Sequence, residues 1–212
     1  MENPFQIRND KLGKKVAESL NKRFFEAYYV SKKEDVLKKV LELIPIEHSV
    51  SWGGTMTVDE LGIKEALKEK GYKLIDRDTA QNPEERQKLM HDALSCGTFL
   101  MSSNAITEKG ELFNIDGAAN RVAALCYGPK NVLVIAGINK IVKDLDEAYS
   151  RVRHFAAPVN AQRFCKTTPC SITGECGDCI NQESICAQMV TTRICRPAGR
   201  IKVILVGENL GI

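Results

Sequence analysis

Short apolar segments alternate with helical segments along most of this chain of 212 residues. Residues 131–136 and 201–206 are dominated by apolar side chains, as expected of strands that are buried on both faces of a parallel sheet. Residues 83–94 and 145–154 carry apolar side chains at helical spacing between such strands. Because strands alternate with helices, the sequence predicts a three-layer α/β domain with a mostly parallel sheet.

The N-terminal region predicts two helices, since apolar residues recur at helical spacing over residues 10–29 and 36–44. We expect residues 1–47 to form a helical pair that covers the sheet. Residues 105–115 contain Glu-Lys-Gly between two apolar runs, which is typical of a β-hairpin. The sequence therefore predicts a single domain in which one antiparallel hairpin accompanies the parallel sheet.

Charge and composition exclude several classes of function. The net charge is +3 and aromatic residues make up 6% of the chain, with no block of Lys and Arg interleaved with aromatics, so we expect no nucleic-acid partner. No run of 18 apolar residues occurs, so we expect no membrane span. The first residues lack the apolar region and cleavage site of a secretory leader, which predicts a cytoplasmic protein.

Six of the eight cysteines lie within residues 165–195, a cysteine-rich segment that we expect to bind metal. Its core has the spacing C-x5-C-x2-C-x6-C, formed by Cys170, Cys176, Cys179 and Cys186. Four thiolates in a short, loop-rich segment can hold an iron–sulfur cluster or a zinc ion. These four residues are therefore the candidate metal ligands.

The spacing of the cysteines does not identify the metal. A structural zinc and an iron–sulfur cluster fit it almost equally well. Disulfides are less consistent with a chain that has enough apolar residues for an ordinary core. Buried thiols without a ligand suit Cys96 and Cys126, which lie in apolar segments. The spacing does not decide whether Cys165 or Cys195 replaces one of the four proposed ligands.

Three loops are expected at the carboxyl ends of strands, where open α/β sheets bind their ligands. The candidate residues are Gly53, Gly54 and Thr55 in the first loop, Asp116, Asn120 and Arg121 in the second, and Asn139 and Lys140 in the third. In the first loop, glycines allow a ligand close to the backbone, and the following capping box of Thr57 and Glu60 opens a helix to about residue 70. A tight turn would use the same two glycines.

The second and third loops carry the groups for acid–base chemistry. Asp116 could transfer a proton, and Arg121 with Asn120 could bind a carboxylate or phosphate. Lys140 could pair with the same anion inside the cleft. The simpler alternatives are a helix cap at Asp116 and a solvated loop lysine at Lys140. We therefore predict catalytic roles for Asp116 and Lys140, and substrate binding by the other loop residues.

Several long runs together resemble a known family. They are residues 116–125 (Asp-Gly-Ala-Ala-Asn-Arg-Val-Ala-Ala-Leu), 127–129 (Tyr-Gly-Pro), 134–142, 151–163 and 169–186. In these runs the chain resembles the LUD domain of lactate-utilisation (LutC-like) proteins, in the subgroup with a C-terminal cysteine cluster. The similarity extends from about residue 10 to the end of the chain.

The resemblance implies a Rossmann-like fold of the sugar-phosphate isomerase and CoA-transferase type. It also implies a link to the oxidation of L-lactate to pyruvate beside iron–sulfur partner subunits. In the related isomerases, a glycine/hydroxyl loop and an aspartate–glycine segment form the phosphate and proton-transfer site. Residues 53–55 and Asp116 with Gly117 occupy comparable places here, although the full catalytic set of those enzymes is missing.

Three functions are consistent with these observations. The first is an accessory or redox component of L-lactate oxidation with an iron–sulfur cluster on the four cysteines. The second is a small-molecule enzyme that acts on an anionic substrate. The third is a scaffold with a structural zinc. The expected partners are a small carboxylate or phosphate, iron–sulfur protein subunits and a second copy of the chain in a homodimer.

Overall fold

A sheet of six parallel strands forms the centre of the computed structural model, which describes residues 3–164 and 166–212. With all strands numbered in chain order, its members are β1 (Glu26–Val30), β2 (Ser49–Trp52), β3 (Lys73–Ile75), β4 (Thr98–Met101), β7 (Asn131–Gly137) and β10 (Ile201–Val206). They lie in the order β1-β10-β7-β4-β2-β3, and every neighbouring pair is parallel. The predicted parallel sheet is confirmed.

A second, smaller sheet lies beside the first. Its strands are β5 (Ala105–Thr107), β6 (Leu112–Asp116), β8 (Ile141–Val142) and β9 (Gln188–Thr192), in the order β8-β5-β6-β9. Strands β5 and β6 form the predicted antiparallel hairpin. Strand β9 belongs to the cysteine-rich segment and pairs with β6, so this segment is fixed to the domain at its C-terminal part.

Helices cover both faces of the six-stranded sheet. They are α1 (Pro4–Asn21), α2 (Val36–Leu43), α3 (Met56–Glu60), α4 (Ile63–Glu69), α5 (Pro83–Asp92), α6 (Asn120–Cys126), α7 (Leu145–Arg151), α8 (Ala157–Ala161) and α9 (Pro169–Thr173). A π-helical turn at Val152–Ala156 joins α7 to α8. In the part of the chain that the structure describes, no helix combines the length and the apolar character needed to cross a bilayer.

The central strand β7 shows how the three layers form. Val132 and Val134 belong to one buried cluster with side chains of α1 and α6. Leu133 and Ile135 belong to another cluster with side chains of α2 and α4. Because neighbouring side chains of a strand point to opposite faces, an apolar strand is buried on both sides. The three-layer architecture is therefore confirmed.

The N-terminal helical pair departs from the prediction. Helix α1 ends at Asn21, and residues predicted to continue it form β1, which pairs with β10. The Asn21 side chain turns the chain, because it accepts a hydrogen bond from Ala27 N at 2.9 Å and donates one to Ala27 O at 3.1 Å. Tyr28, Tyr29 and Val30 then favour a strand over a helix. The region is a helix, an edge strand and a second helix.

The predicted helix over residues 57–70 is divided. Helix α3 ends at Glu60, and α4 begins at Ile63. Gly62 between them has a φ of 61°, in the left-handed region that glycine adopts readily. The cap of α3 is Thr55, whose side chain accepts from Val58 N, and not the predicted Thr57.

The strand order creates a crevice between β2 and β4. From β2 the chain crosses to β3 on one side, and it then returns to form β4 on the other side of β2. Loops that leave the carboxyl ends of such strands diverge, and open α/β sheets bind ligands at this point. The candidate site is expected here.

Candidate functional site

A cavity of about 240 Å³ opens at this crevice, and we call it the switch-point cavity. Six of the predicted site residues line it, namely Gly54, Thr55, Asp116, Asn120, Arg121 and Lys140. They come from the loops after β2, β6 and β7, which are far apart in the sequence. The structure thus brings the three predicted loops together in one cavity.

The charged groups around the switch-point cavity are unbalanced. Four basic residues line it, the arginines Arg77, Arg121 and Arg163 and the lysine Lys140, whereas Asp116 is the acidic residue among the described lining residues. A concave surface with an excess of one charge concentrates ions of the opposite charge. The cavity is therefore electrostatically suited to a small anion.

Lys140 is the most unusual of these groups. Its side chain is buried, with the residue only 4% exposed, and Nζ donates to Ser102 Oγ at 2.8 Å and to Thr57 Oγ1 at 3.1 Å. Burial, together with the nearby cations Arg151 and Arg121, lowers the pKa of the Lys140 ammonium from its ordinary value to about 7, while Glu60 acts in the opposite direction. A substantial fraction of Lys140 is therefore a neutral amine near pH 7.

Arg121 supports the wall of the switch-point cavity through its hydrogen bonds. Its guanidinium donates to Asn114 Oδ1 at 2.6 Å, to Asn104 Oδ1 at 2.9 Å and to Ser102 O at 3.2 Å, and it also donates to Ile115 O. These acceptors join the end of β4 to β6. Because most of its donors are already used, Arg121 supplies charge and rigidity to the cavity wall rather than free hydrogen bonds.

Arg77 differs from Arg121 in that its guanidinium is not held by hydrogen bonds within the part of the chain that the structure describes. It follows β3 in a short helical turn, and its Nε is buried without a hydrogen-bond partner among the described residues. Burial lowers the pKa of its guanidinium. A Cβ on Gly54 would lie 3.2 Å from Nη2 of Arg77, so glycine at this position leaves room for the guanidinium. Arg77 is thus a cation at the cavity whose Nε makes no hydrogen bond to any of those residues, with Asp78 Oδ1 3.9 Å from it as a weak ion-pair partner.

Asp116 and Thr55 are partly engaged by the fold. Asp116 Oδ2 accepts from Val122 N at 3.2 Å and lies 3.7 Å from Nε of Arg121. Thr55 accepts from Val58 N as the cap of α3. The helix-cap alternative for Asp116 is therefore met in part, because its carboxylate accepts from an amide in the first turn of α6 while it also lines the cavity. Thr55, which was predicted to bind substrate, is the cap of α3.

Two predicted residues do not line the switch-point cavity. Gly53 lies behind it, where a Cβ would come within 3.1 Å of the Arg121 side chain. Asn139 supports the C-terminal segment, because its Oδ1 accepts from Leu210 N at 3.1 Å and its Nδ2 donates to Gly211 O at 3.4 Å. The contacts of Gly53 and Asn139 therefore support the fold and do not form part of the cavity wall.

The sequence analysis missed other residues of the cavity wall. Arg77 follows β3, and Ser102, Ser103 and Asn104 follow β4. All four stand directly after parallel strands, which is the signal that identified the three predicted loops. The sequence predicts strands over residues 72–75 and 98–103, so the same rule would have included Arg77 and Asn104, whereas Ser102 and Ser103 fall inside the predicted strand.

The four candidate metal ligands also meet in one place. Cys170, Cys176, Cys179 and Cys186 line a separate cavity of about 20 Å³, which we call the thiol cavity. Arg153 lines it too and forms an ion pair with Asp178. Burial raises the pKa of the Cys186 thiol to about 11, with the other three cysteines adding to the effect and Arg153 opposing it. The structure therefore places all four residues around one small cavity, and their role as metal ligands stays a prediction.

The thiol cavity contains the sulfur donors of a metal site, but the sulfurs are not arranged in the coordination geometry of a metal ion. Within residues 3–164 and 166–212, no group of three or more His, Cys, Asp or Glu side chains is arranged as a metal-ion site. The seven cysteines described there are all free thiols, so none of them forms a disulfide. Four cysteines are a suitable donor set for zinc or an iron–sulfur cluster, and binding would require the loop to draw the sulfurs together.

The remaining cysteines lie elsewhere. Cys195 is buried in the core, where its thiol donates to Pro197 O at 3.1 Å, and it does not line the thiol cavity. Cys96 is buried as predicted, whereas Cys126 is exposed. The question of Cys165 as a ligand falls outside the described residues.

Ile185 connects the two cavities. It lines both the switch-point cavity and the thiol cavity. A Cβ on Gly117 would lie 3.1 Å from Cα of Ile185, so the cysteine-rich segment packs closely against the turn that follows Asp116. One wall of the switch-point cavity is therefore part of the cysteine-rich segment.

The chain is similar to one domain family and to a solved structure with the same architecture. The family model for the LUD domain matches residues 13–206. The crystal structure of a DUF162 family protein from Deinococcus radiodurans superposes with a TM-score of 0.57 at 12% identity, over 93% of this chain and 98% of that chain. The delta subunit of eIF2B from Chaetomium thermophilum gives a TM-score of 0.36 at 14% identity, over 53% and 48% of the two chains. No curated protein sequence matches the chain.

Proposed function

This chain belongs to the LUD domain family, and we propose that it is a small-molecule enzyme that binds a carboxylate or phosphate anion in the switch-point cavity. The family's association with lactate utilisation makes a small hydroxy or oxo acid a suitable ligand. The observation that carries the proposal is the excess of cations in a cavity at the β2–β4 crevice.

Each charged residue has a distinct part in this proposal. Arg77 holds the anion, because its guanidinium has donors that the protein does not use. Arg121 fixes the wall and adds positive charge. Asp116 and Lys140 exchange protons with the bound molecule, since both line the cavity and Lys140 has a pKa of about 7.

The pH dependence of binding tests the proposal. Because the pKa of Lys140 is lowered to about 7, the amine carries a proton below that pH and loses it above. Lactate keeps one charge over this range, since carboxylic acids titrate near about 4. We expect its affinity, measured by titration calorimetry, to be about tenfold higher at pH 6 than at pH 8.5, the difference between a charged and a neutral hydrogen-bond donor.

Lys140→Met provides the matched control. Among the described residues that line the cavity there is no histidine to produce the same titration. The groups that shift Lys140 besides its burial are Arg151 and Arg121, which lower its pKa, and Glu60, which raises it. The variant should bind lactate with little change over the same pH range. An equal pH slope in both proteins, or no binding of lactate and phosphate by either, would contradict the proposal.

A second function is favoured by the thiol cavity. We propose that Cys170, Cys176, Cys179 and Cys186 hold an iron–sulfur cluster, which would supply electron transfer to a redox component of lactate oxidation. The support is that all four line one cavity with the cation Arg153 beside them. A cationic neighbour offsets the negative charge of thiolates. A structural zinc on the same residues is the alternative.

Metal analysis separates these alternatives. We expect protein purified without oxygen to be brown and to contain iron and acid-labile sulfide, and we expect Cys179→Ser to lose both. Cys126→Ser is the control, because Cys126 is exposed and lies outside the thiol cavity. Colourless protein with stoichiometric zinc would favour the scaffold function. Protein without metal that also resists reconstitution would exclude both centres.

A further inference from the structure

We propose that Lys140 is a nucleophile that forms an imine with the carbonyl group of an anionic oxo compound held in the switch-point cavity. This inference rests on the proposed function, because the anion anchors the carbonyl compound. It adds a substrate class, carbonyl compounds with a carboxylate or phosphate group, and a covalent step.

The surroundings of the amine favour this chemistry. Nζ of Lys140 contacts two hydroxyl groups, Thr57 Oγ1 and Ser102 Oγ. In the described part of the chain, no carboxylate lies within 4.0 Å of it, so no direct ion pair holds the ammonium in its charged form, and Glu60 favours that form only from a greater distance. A lysine without a counter-ion, buried beside other cations, is the arrangement that makes an amine nucleophilic. The pKa of about 7 is consistent with this reading.

The amine is also fixed in position. Lys140 ends a short helical turn, Ile138–Lys140, directly after β7, whose seven residues are all buried. A rigid strand and two hydrogen bonds hold the side chain at the cavity wall. Catalytic groups on rigid elements keep the near-attack geometry that a covalent step requires.

The step balances without a further reactant. The nitrogen lone pair forms a bond to the carbonyl carbon, and the carbonyl oxygen accepts a proton to give a carbinolamine. The carbon–oxygen bond then breaks, and the oxygen leaves as water with both protons of the amine. Asp116, which lines the cavity, is the acid–base group available for these proton transfers. The imine makes hydrogens on the neighbouring carbon more acidic, so proton exchange there is the expected activity.

Reductive trapping tests the proposal. The whole chain is incubated with pyruvate or with dihydroxyacetone phosphate, reduced with borohydride and mapped by peptide mass spectrometry. We expect the peptide with Lys140 to gain the mass of the carbonyl compound less one oxygen atom. Labelling by pyruvate would indicate a carboxylate substrate, and labelling by dihydroxyacetone phosphate would indicate a phosphate substrate. Lactate and glycerol 3-phosphate, which lack the carbonyl, should bind without labelling.

Two variants and a second readout complete the test. Lys140→Met should abolish the adduct and the exchange of deuterium into pyruvate, while Lys143→Met, at an exposed lysine, should retain both. If Lys140→Met does not fold, the position of the label in the wild-type protein decides. Reversible binding of lactate without any label on Lys140 would overturn the imine and leave the proposed function standing. Labelling that is spread evenly over exposed lysines would also overturn it.

Discussion

Replacing Arg121 with methionine is expected to destabilise the domain by about 3–5 kcal/mol, the range for removing one partner from a buried charged network. The guanidinium bridges Ser102 O, Asn104 Oδ1 and Asn114 Oδ1. Methionine has a similar length but no donors, so these buried acceptors would lose their partner. The free energy of unfolding, measured by urea denaturation, should fall accordingly.

Arg163→Met is the control for this result. Arg163 lines the same cavity but is exposed, and its change should alter the free energy of unfolding by no more than about 0.5 kcal/mol. A loss below about 1 kcal/mol for Arg121→Met would contradict its supporting role, because a single net hydrogen bond is worth that much. In that case Arg121 would again be a candidate for direct anion binding.

Replacing Arg77 with glutamine is expected to weaken anion binding by roughly 10–100-fold, the equivalent of one charge-assisted hydrogen bond. The buried Nε makes no hydrogen bond to a described residue and has only a long contact of 3.9 Å with Asp78 Oδ1, so the folded protein loses little when the guanidinium is removed. We therefore expect the free energy of unfolding to stay the same or to rise. A large change in affinity with no loss of stability is the property of a ligand-binding residue.

Two further variants sharpen this prediction. Arg77→Lys keeps the charge and should recover part of the affinity. Arg193→Gln makes the same charge change at an exposed position outside the switch-point cavity, and it should leave the affinity unchanged. If Arg77→Gln binds lactate and phosphate as the wild-type protein does, another group holds the anion.

The main sheet could be predicted because its strands are governed by burial. The apolar segments that form β7 and β10 are buried on both faces, and such strands leave a clear sequence pattern. The edge strand β1 was missed because its apolar residues also fit a helical spacing. The choice between a strand and a helix depends on two features of the folded protein. They are the edge of β10, with which β1 pairs, and the turn fixed by Asn21.

The site was predictable in its location but not in the roles of its residues. The rule for parallel sheets correctly brought Asp116 and Lys140 to one cavity. It could not show that Arg121 is occupied by internal acceptors while Arg77 has free donors, since both facts depend on which atoms the folded loops place nearby. The contact of Ile185 with both cavities likewise arises only from folding.

The most direct test of the central claim is a crystal structure of the protein soaked with lactate or phosphate. We expect density for the anion in the switch-point cavity, in contact with the guanidinium of Arg77 and near Nζ of Lys140. Density for the anion at another site, with the switch-point cavity filled only by water at saturating ligand, would contradict the claim.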